Sequence, residues 1–223
     1  MELDGITFDA FGTLFDLNAL RTRTRQAAGH EGDELFAAFK DRLIPWSWHA
    51  TASGDYVAFP ELAIEAVMAA ARDAGFPLER SRAEWIVEGL KGLPTFEDVV
   101  PALEALADGG VPLAILTNGT EEGITALVEN AGIRDRFAHL LTADTVRAYK
   151  PSKDVYALAT EAFGAPADRI VLVSGHEWDL TGAAGAGLRT AWVARGERLA
   201  PVRLIEPEVV VDTLADLPGA LAV

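Results

Sequence analysis

The chain has 223 residues, half of them apolar, with no cysteine and with 34 acidic against 19 basic residues, a net charge of −15. It has no means of building a disulfide scaffold, a thiolate metal site or a cysteine nucleophile. A surface of that sign repels phosphate backbones and anionic lipid, so neither nucleic acid nor membrane is an expected partner. No apolar run reaches the roughly 18 residues of a membrane span. The acidic start, Met1-Glu2-Leu3-Asp4, lacks the basic residues of a signal peptide, and a soluble cytoplasmic protein is expected.

The first apolar run is Gly5-Ile6-Thr7-Phe8, which leads into Asp9. Residues 16–91 then carry helical periodicity without a convincing buried strand. One helix is predicted over 59–74, with Pro60 near its start and Gly75-Phe76-Pro77 closing it. Ser81-Arg82-Ala83-Glu84 has capping-box spacing ahead of Trp85-Ile86-Val87. Further apolar runs follow at 113–116, 170–173, 190–193 and 208–211, separated by helical patterns near 96–107, 121–131, 154–163 and 181–186. Continuous rather than alternating runs suit strands covered on both faces. The alternation predicts an α/β fold with an open parallel sheet. Residues 16–91 would be a helical domain inserted after the first strand, the alternative being extra helices packed on one core.

In such a sheet, ligands bind at the carboxyl ends of the strands. Three of those ends carry chemistry: Asp9, Thr117-Asn118, and Ser174 through Asp179. Tyr149-Lys150-Pro151 lies just before a helix. Thr13 is placed to orient the Asp9 carboxylate or to cap the next turn. Lys150 would supply a cation near Asp9 and favour an anionic substrate. Asp179 sits among apolar and small residues, where a buried carboxylate needs a partner, and Lys150 is the natural one. Taken singly, each of these is as readily a turn or surface residue.

Asp9-x-Phe11-Gly12-Thr13-Leu14, Thr117-Asn118-Gly119, Tyr149-Lys150-Pro151 and Trp178-Asp179, in this order and spacing, resemble the haloacid dehalogenase (HAD) superfamily. The resemblance runs the length of the chain. It implies a HAD-like Rossmannoid core at 1–15 and 92–223 and a helical cap domain at 16–91. Phosphatases of the superfamily carry a second Asp two residues after the nucleophile, whose main-chain carbonyl binds Mg²⁺, and a Gly-Asp pair in the fourth motif. Here those places hold Phe11 and Ser174-Gly175, so neither phosphoryl transfer nor a metal or other cofactor is expected.

What remains resembles the L-2-haloacid dehalogenase (type II) branch. That resemblance implies that Asp9 displaces halide from the α-carbon of a short 2-haloalkanoic acid, giving an aspartyl ester with inversion. Water positioned by Asp179 with Lys150 then frees the 2-hydroxy acid. Halide is a weakly basic leaving group and needs no general acid. Thr13, Tyr156, Thr117, Asn118 and Ser174 match positions that orient the nucleophile or hold the substrate carboxylate, Phe59 matches an aromatic that lines the halide site, and Trp178 matches the pocket.

Three departures stand out. Thr117 replaces the family's Ser and keeps the hydroxyl. His176 replaces an Asn; it could donate to water or to a substrate oxygen, or be a packed histidine. In the cap, the family's halide-binding Arg aligns on Lys40, or with a gap on Arg42. Trp46 and Trp48 would narrow the pocket or pack in the cap. The resemblance also suggests a homodimer.

Other readings stay open. One is a phosphatase-like hydrolase with Glu177 or Asp16 as a substitute metal ligand. Another is a hydrolase of a different small carboxylate, such as a strained ring, with His176 as proton source. The last is a non-catalytic anion-binding protein.

Overall fold

A computed structural model describes residues 3–196 and 206–223. Met1 and Glu2 of the acidic start lie outside the described residues. Six strands form one parallel sheet: β1 (Gly5–Phe8), β2 (Leu113–Thr117), β3 (His139–Thr142), β4 (Ile170–Ser174), β5 (Arg189–Val193) and β6 (Val209–Val211). Their order across the sheet is β3-β2-β1-β4-β5-β6. The three central strands are the apolar runs read from sequence, and every residue in them is buried. Strand β1 pairs Ile6 with Leu113 on one side and with Val171 on the other.

The chain leaves β1 toward β2 in one direction and returns to β4 in the other. The crevice above β1 is therefore the topological switch point, where open α/β sheets bind ligands. The side chains of Asp9, Thr117 and Ser174 follow or close the three strands that border it.

Helices α1 (Leu20–Ala28), α2 (Gly32–Ser53), α3 (Phe59–Asp73) and α4 (Arg80–Glu88) form the inserted helical cap. Helix α2 packs on α1 and α3, and α4 packs on α3. The core helices are α5 (Val99–Asp108), α6 (Glu121–Asn130), α7 (Lys153–Phe163), α8 (Glu177–Gly185) and α9 (Leu217–Leu221). The chain enters and leaves the cap through one paired neck: Asp16 N donates to Pro94 O at 2.9 Å and Phe96 N to Leu14 O at 3.1 Å.

Several local expectations need correcting. Strand β3 has no signal in the sequence: its four residues lie at the sheet edge, three of them only half-buried, so no continuous apolar run marks it. The Ser81–Glu84 capping box does not form. Helix α4 starts at Arg80 without a side-chain cap, and Glu84 pairs with Arg80 at 3.0 Å instead. Helix α8 begins at Glu177, a turn before the pattern at 181–186, which puts Trp178 and Asp179 in its first turn.

Among the described residues no helix is long and apolar enough to cross a membrane. In the cap, α1 and α2 cross so closely that a Cβ on Gly32 would lie 2.5 Å from Arg25 N. Backbone there cannot yield as a side-chain tip can. Gly32→Ala should therefore cost about 1–3 kcal/mol in denaturant unfolding, as overpacked sites do.

Candidate active site

Asp9 still belongs to the sheet through its backbone, since its N–H donates to Val173 O at 3.0 Å. Its side chain emerges at the carboxyl edge and is 6% exposed. The chain then turns at Gly12, whose φ of 79° lies in the left-handed region that favours glycine. A Cβ at Gly12 would come 2.7 Å from His176 Nε2, so the missing side chain also admits the imidazole.

Thr13 Oγ1 accepts from Gly175 N at 2.9 Å and donates to Asp9 Oδ2 at 2.8 Å. The incoming N–H directs the hydroxyl proton at the carboxylate, which fixes one Asp9 oxygen.

The other oxygen, Oδ1, accepts from Lys150 Nζ at 3.1 Å. The ammonium also donates to Asp179 Oδ2 at 2.8 Å, and both Lys150 and Asp179 are fully buried. Burial opposes the charge on Lys150, but the carboxylates of Asp179 and Asp9 outweigh it and hold the ammonium above the ordinary lysine value. Burial lifts Asp179 above the usual carboxylate range; Lys150 pulls it down and Asp9 adds to the rise. Tyr156 donates to Asp179 Oδ1 at 2.8 Å and to its main-chain oxygen at 3.0 Å. Lys150 N donates to Asn118 Oδ1 at 2.9 Å, which orients that amide.

Above Asp9 lies a cavity of about 280 Å³. Asp9, Phe11, Lys40, Phe59, Asn118, His176 and Trp178 all line it. Phe11 stacks on Phe59 with ring centroids 5.7 Å apart, and His176 stacks on Trp178 at the same separation. His176 Nε2 lies 2.9 Å from Phe11 O and 3.9 Å from Asp9 Oδ2.

Other predicted residues lie elsewhere. Arg42 is not at the cavity: its guanidinium pairs with Asp73 and donates to Ala38 O at 2.9 Å, while Lys40 stands on the lining. Tyr156 is buried behind Asp179 and cannot contact a substrate in the cavity. Thr117 and Ser174 are buried and shape turns, accepting from Gly119 N at 3.1 Å and His176 N at 3.1 Å; neither lines the cavity. Trp46 and Trp48 do not line it either. Asp16 caps the turn at Asn18, and Glu177 lines an outer groove beside Trp48. Neither lines the cavity above Asp9.

Two parts of the arrangement had no local signal in the sequence. Arg195 Nε donates to Thr13 O at 3.0 Å, and its guanidinium forms a two-pronged pair with Asp98 at 2.9 and 2.8 Å. Asp98 also accepts from Thr213 Oγ1 and Leu214 N, both at 2.8 Å. Tyr149, beside Lys150, is held by the cap: its N–H donates to Thr51 Oγ1 at 2.9 Å and its hydroxyl to Val57 O at 2.6 Å.

A carboxylate fixed on both oxygens, backed by a buried ammonium at a sheet switch point and roofed by an inserted helical cap, defines a capped α/β hydrolase. The chain belongs to the haloacid dehalogenase-like hydrolase family, whose family model matches residues 3–187. It is 35% identical to an (S)-2-haloacid dehalogenase of Pseudomonas sp. (strain YL), over 86% of this chain and 83% of that protein. It is 31% identical to (S)-2-haloacid dehalogenase 2 of Pseudomonas sp. (strain CBS-3), over 99% and 96%. It is also similar to the structure of the L-2-haloacid dehalogenase from Xanthobacter autotrophicus with chloropropionic acid covalently bound. There the TM-score is 0.91 at 27% identity, covering 99% of this chain and 98% of that one.

Removing the ammonium would leave two buried carboxylates facing each other. Lys150→Ala should lower unfolding stability by about 3–5 kcal/mol near neutral pH. The loss should shrink as pH falls, because Asp179, whose carboxyl burial already lifts above the usual carboxylate range, takes up a proton and relieves the repulsion. Denaturant melts at several pH values would show it.

Asp98 behaves in the opposite sense. Burial pushes its carboxyl up, but the bonds from Arg195, Thr213 and Leu214 N outweigh this and hold it below the ordinary value of 3.8. Its contribution to stability is therefore complete above that value and is lost as pH falls through the folded one. Asp98→Asn should flatten the acid limb of a stability-against-pH curve while lowering its neutral plateau.

Proposed function

We propose that this protein is a metal-independent hydrolytic dehalogenase that converts short 2-haloalkanoic acids to 2-hydroxy acids through an ester on Asp9. One observation carries the reading. His176 Nε2 faces Phe11 O at 2.9 Å, and that carbonyl is the one that holds Mg²⁺ in phosphatases of the superfamily. That carbonyl already faces an imidazole, and Phe11 puts a ring where those enzymes carry an acid. The matching relatives are named as 2-haloacid dehalogenases, and one solved structure holds chloropropionic acid covalently.

In this reading an Asp9 oxygen attacks the α-carbon. The new C–O bond forms as the carbon–halogen bond breaks, and the halide leaves with the bonding pair. Phe11, Phe59 and Trp178 exclude water from the attacked carbon, and the Asn118 amide receives the substrate carboxylate. Lys40, standing on the cap side of the cavity, supports halide departure. Water then adds to Asp9 Cγ and the bond from Cγ to the substrate oxygen breaks. One water proton goes to the departing hydroxy acid and the other is released as Asp9 regains its charge. Asp179 does not line the cavity, so it acts on this step through Lys150. Tyr156 positions Asp179. Thr13, Ser174 and Thr117 hold the loops that aim Asp9, His176 and Asn118.

The reading divides the chain into a core of 1–15 and 92–223 and a cap of 16–91, which the neck pairing of Asp16 N with Pro94 O supports.

Halide release from 2-chloropropionate should persist in excess EDTA, and Asp9→Asn should abolish it. In a single turnover in heavy-oxygen water the label should enter the Asp9 side chain. Label found only in the product would exclude the ester, and Mg²⁺-dependent release of phosphate from a monoester without halide release would select the phosphatase reading.

A further inference from the structure

A second cavity, of about 190 Å³, lies beside the first. Phe11, Phe59 and Leu90 belong to the walls of both. They come from three places in the chain: the loop after β1, the first residue of α3, and the turn that follows α4. The Phe11 and Phe59 rings lie nearly parallel, at 10°, and are in stacking contact. Beyond them the second cavity continues along the apolar Pro60 and Val87. The same lining is polar in part: Lys91 pairs with Glu88 at 3.1 Å and Glu122 at 3.0 Å.

We propose that the Phe11–Phe59 stack is a partition that limits the length of the substrate's alkyl chain, and that the second cavity would seat the tail of a longer 2-haloalkanoic acid once the partition is opened. The inference rests on the reading of Asp9 as the attacker of short 2-haloacids.

The geometry supports it in three ways. The partition is made of side chains rather than backbone, so shortening one ring or Leu90 joins the two spaces. Phe11, Phe59, Pro60, Val87 and Leu90 give the second cavity apolar wall for an alkyl tail, and the Lys91 ammonium on its lining is already paired with two carboxylates. The anionic end of the substrate stays at Asn118 in the first cavity, so a tail growing from the α-carbon has this partition as one of its walls.

The test is the ratio of kcat/KM for 2-bromohexanoate over 2-bromopropionate, read as bromide release. Phe59→Ala and, separately, Leu90→Ala should each raise that ratio at least about 10-fold, on the order of what one methylene contributes in an apolar pocket. Adding Val87→Phe to Phe59→Ala fills the second cavity from its own wall and should return the ratio toward the wild-type value. Equal losses on both substrates would overturn the proposal. So would a ratio that rises but is not reset by Val87→Phe. If the wild-type protein releases bromide from neither acid, the dehalogenase reading fails by itself. The partition is then judged by calorimetric binding of hexanoate against propanoate to the same variants, where the same shift supports it and an unchanged preference overturns it.

Discussion

The buried Lys150 ammonium organises the site. It is fully removed from water, and its two acidic partners come from opposite ends of the chain: Asp9 after the first strand and Asp179 in the first turn of α8. Neither carboxylate has another cationic partner at hydrogen-bond distance among the described residues. Desolvating three ionisable groups together is costly, and only close, well-aimed contacts offset it. The sheet supplies that aim. With β1 central and β4 beside it, the loop after β1 and the start of α8 open at the same edge. The lysine then needs only to reach between them, and Tyr156 takes up the Asp179 oxygen that the lysine leaves.

What could be read from sequence follows from where information is local. The central strands are continuous apolar runs because both faces are covered, and they stand out. Strand β3 is short and at the edge, so its residues carry no such signature. Asp9, Asn118, Lys150 and Asp179 were legible as a set, because their order and spacing along the chain resemble one family's motifs, while each alone reads as readily as a turn or surface residue. The choice between Lys40 and Arg42 was not legible, since both lie on one helix two residues apart. What separates them is Asp73, a residue of another helix that pairs with the arginine and keeps it off the cavity lining. Tyr156 shows the same limit: its position beside the site was evident, but which oxygen it would serve depends on how α7 and α8 pack. The Arg195–Asp98 brace joins residues 97 positions apart and leaves no trace in either neighbourhood.

His176 closes one side of the crevice above Asp9. The imidazole lies against a main-chain carbonyl and close to Asp9, with Trp178 stacked on its face. The chain as a whole carries −15, which opposes the approach of a carboxylate substrate. Lys40 on the lining and Lys150 behind Asp9 are positive charges set against that field. Lys150 is shared between Asp9 and Asp179, so its one charge faces two carboxylates.

The cap and this charge chain are mechanically joined. Tyr149 precedes Lys150 and is bonded to the cap through both its N–H and its hydroxyl. The Tyr56 ring packs 5.0 Å from that of Tyr149, and its hydroxyl donates to Asp144 in the core at 2.8 Å. The contacts that seat the helical roof are thus attached to the backbone that carries the ammonium. A roof displaced from the crevice would take Thr51 and Val57 away from Tyr149, and with them the anchorage of Lys150 between its two carboxylates. Closing the cavity against water and setting the charge beside Asp9 are therefore one structural event in this fold, because the same loop serves both.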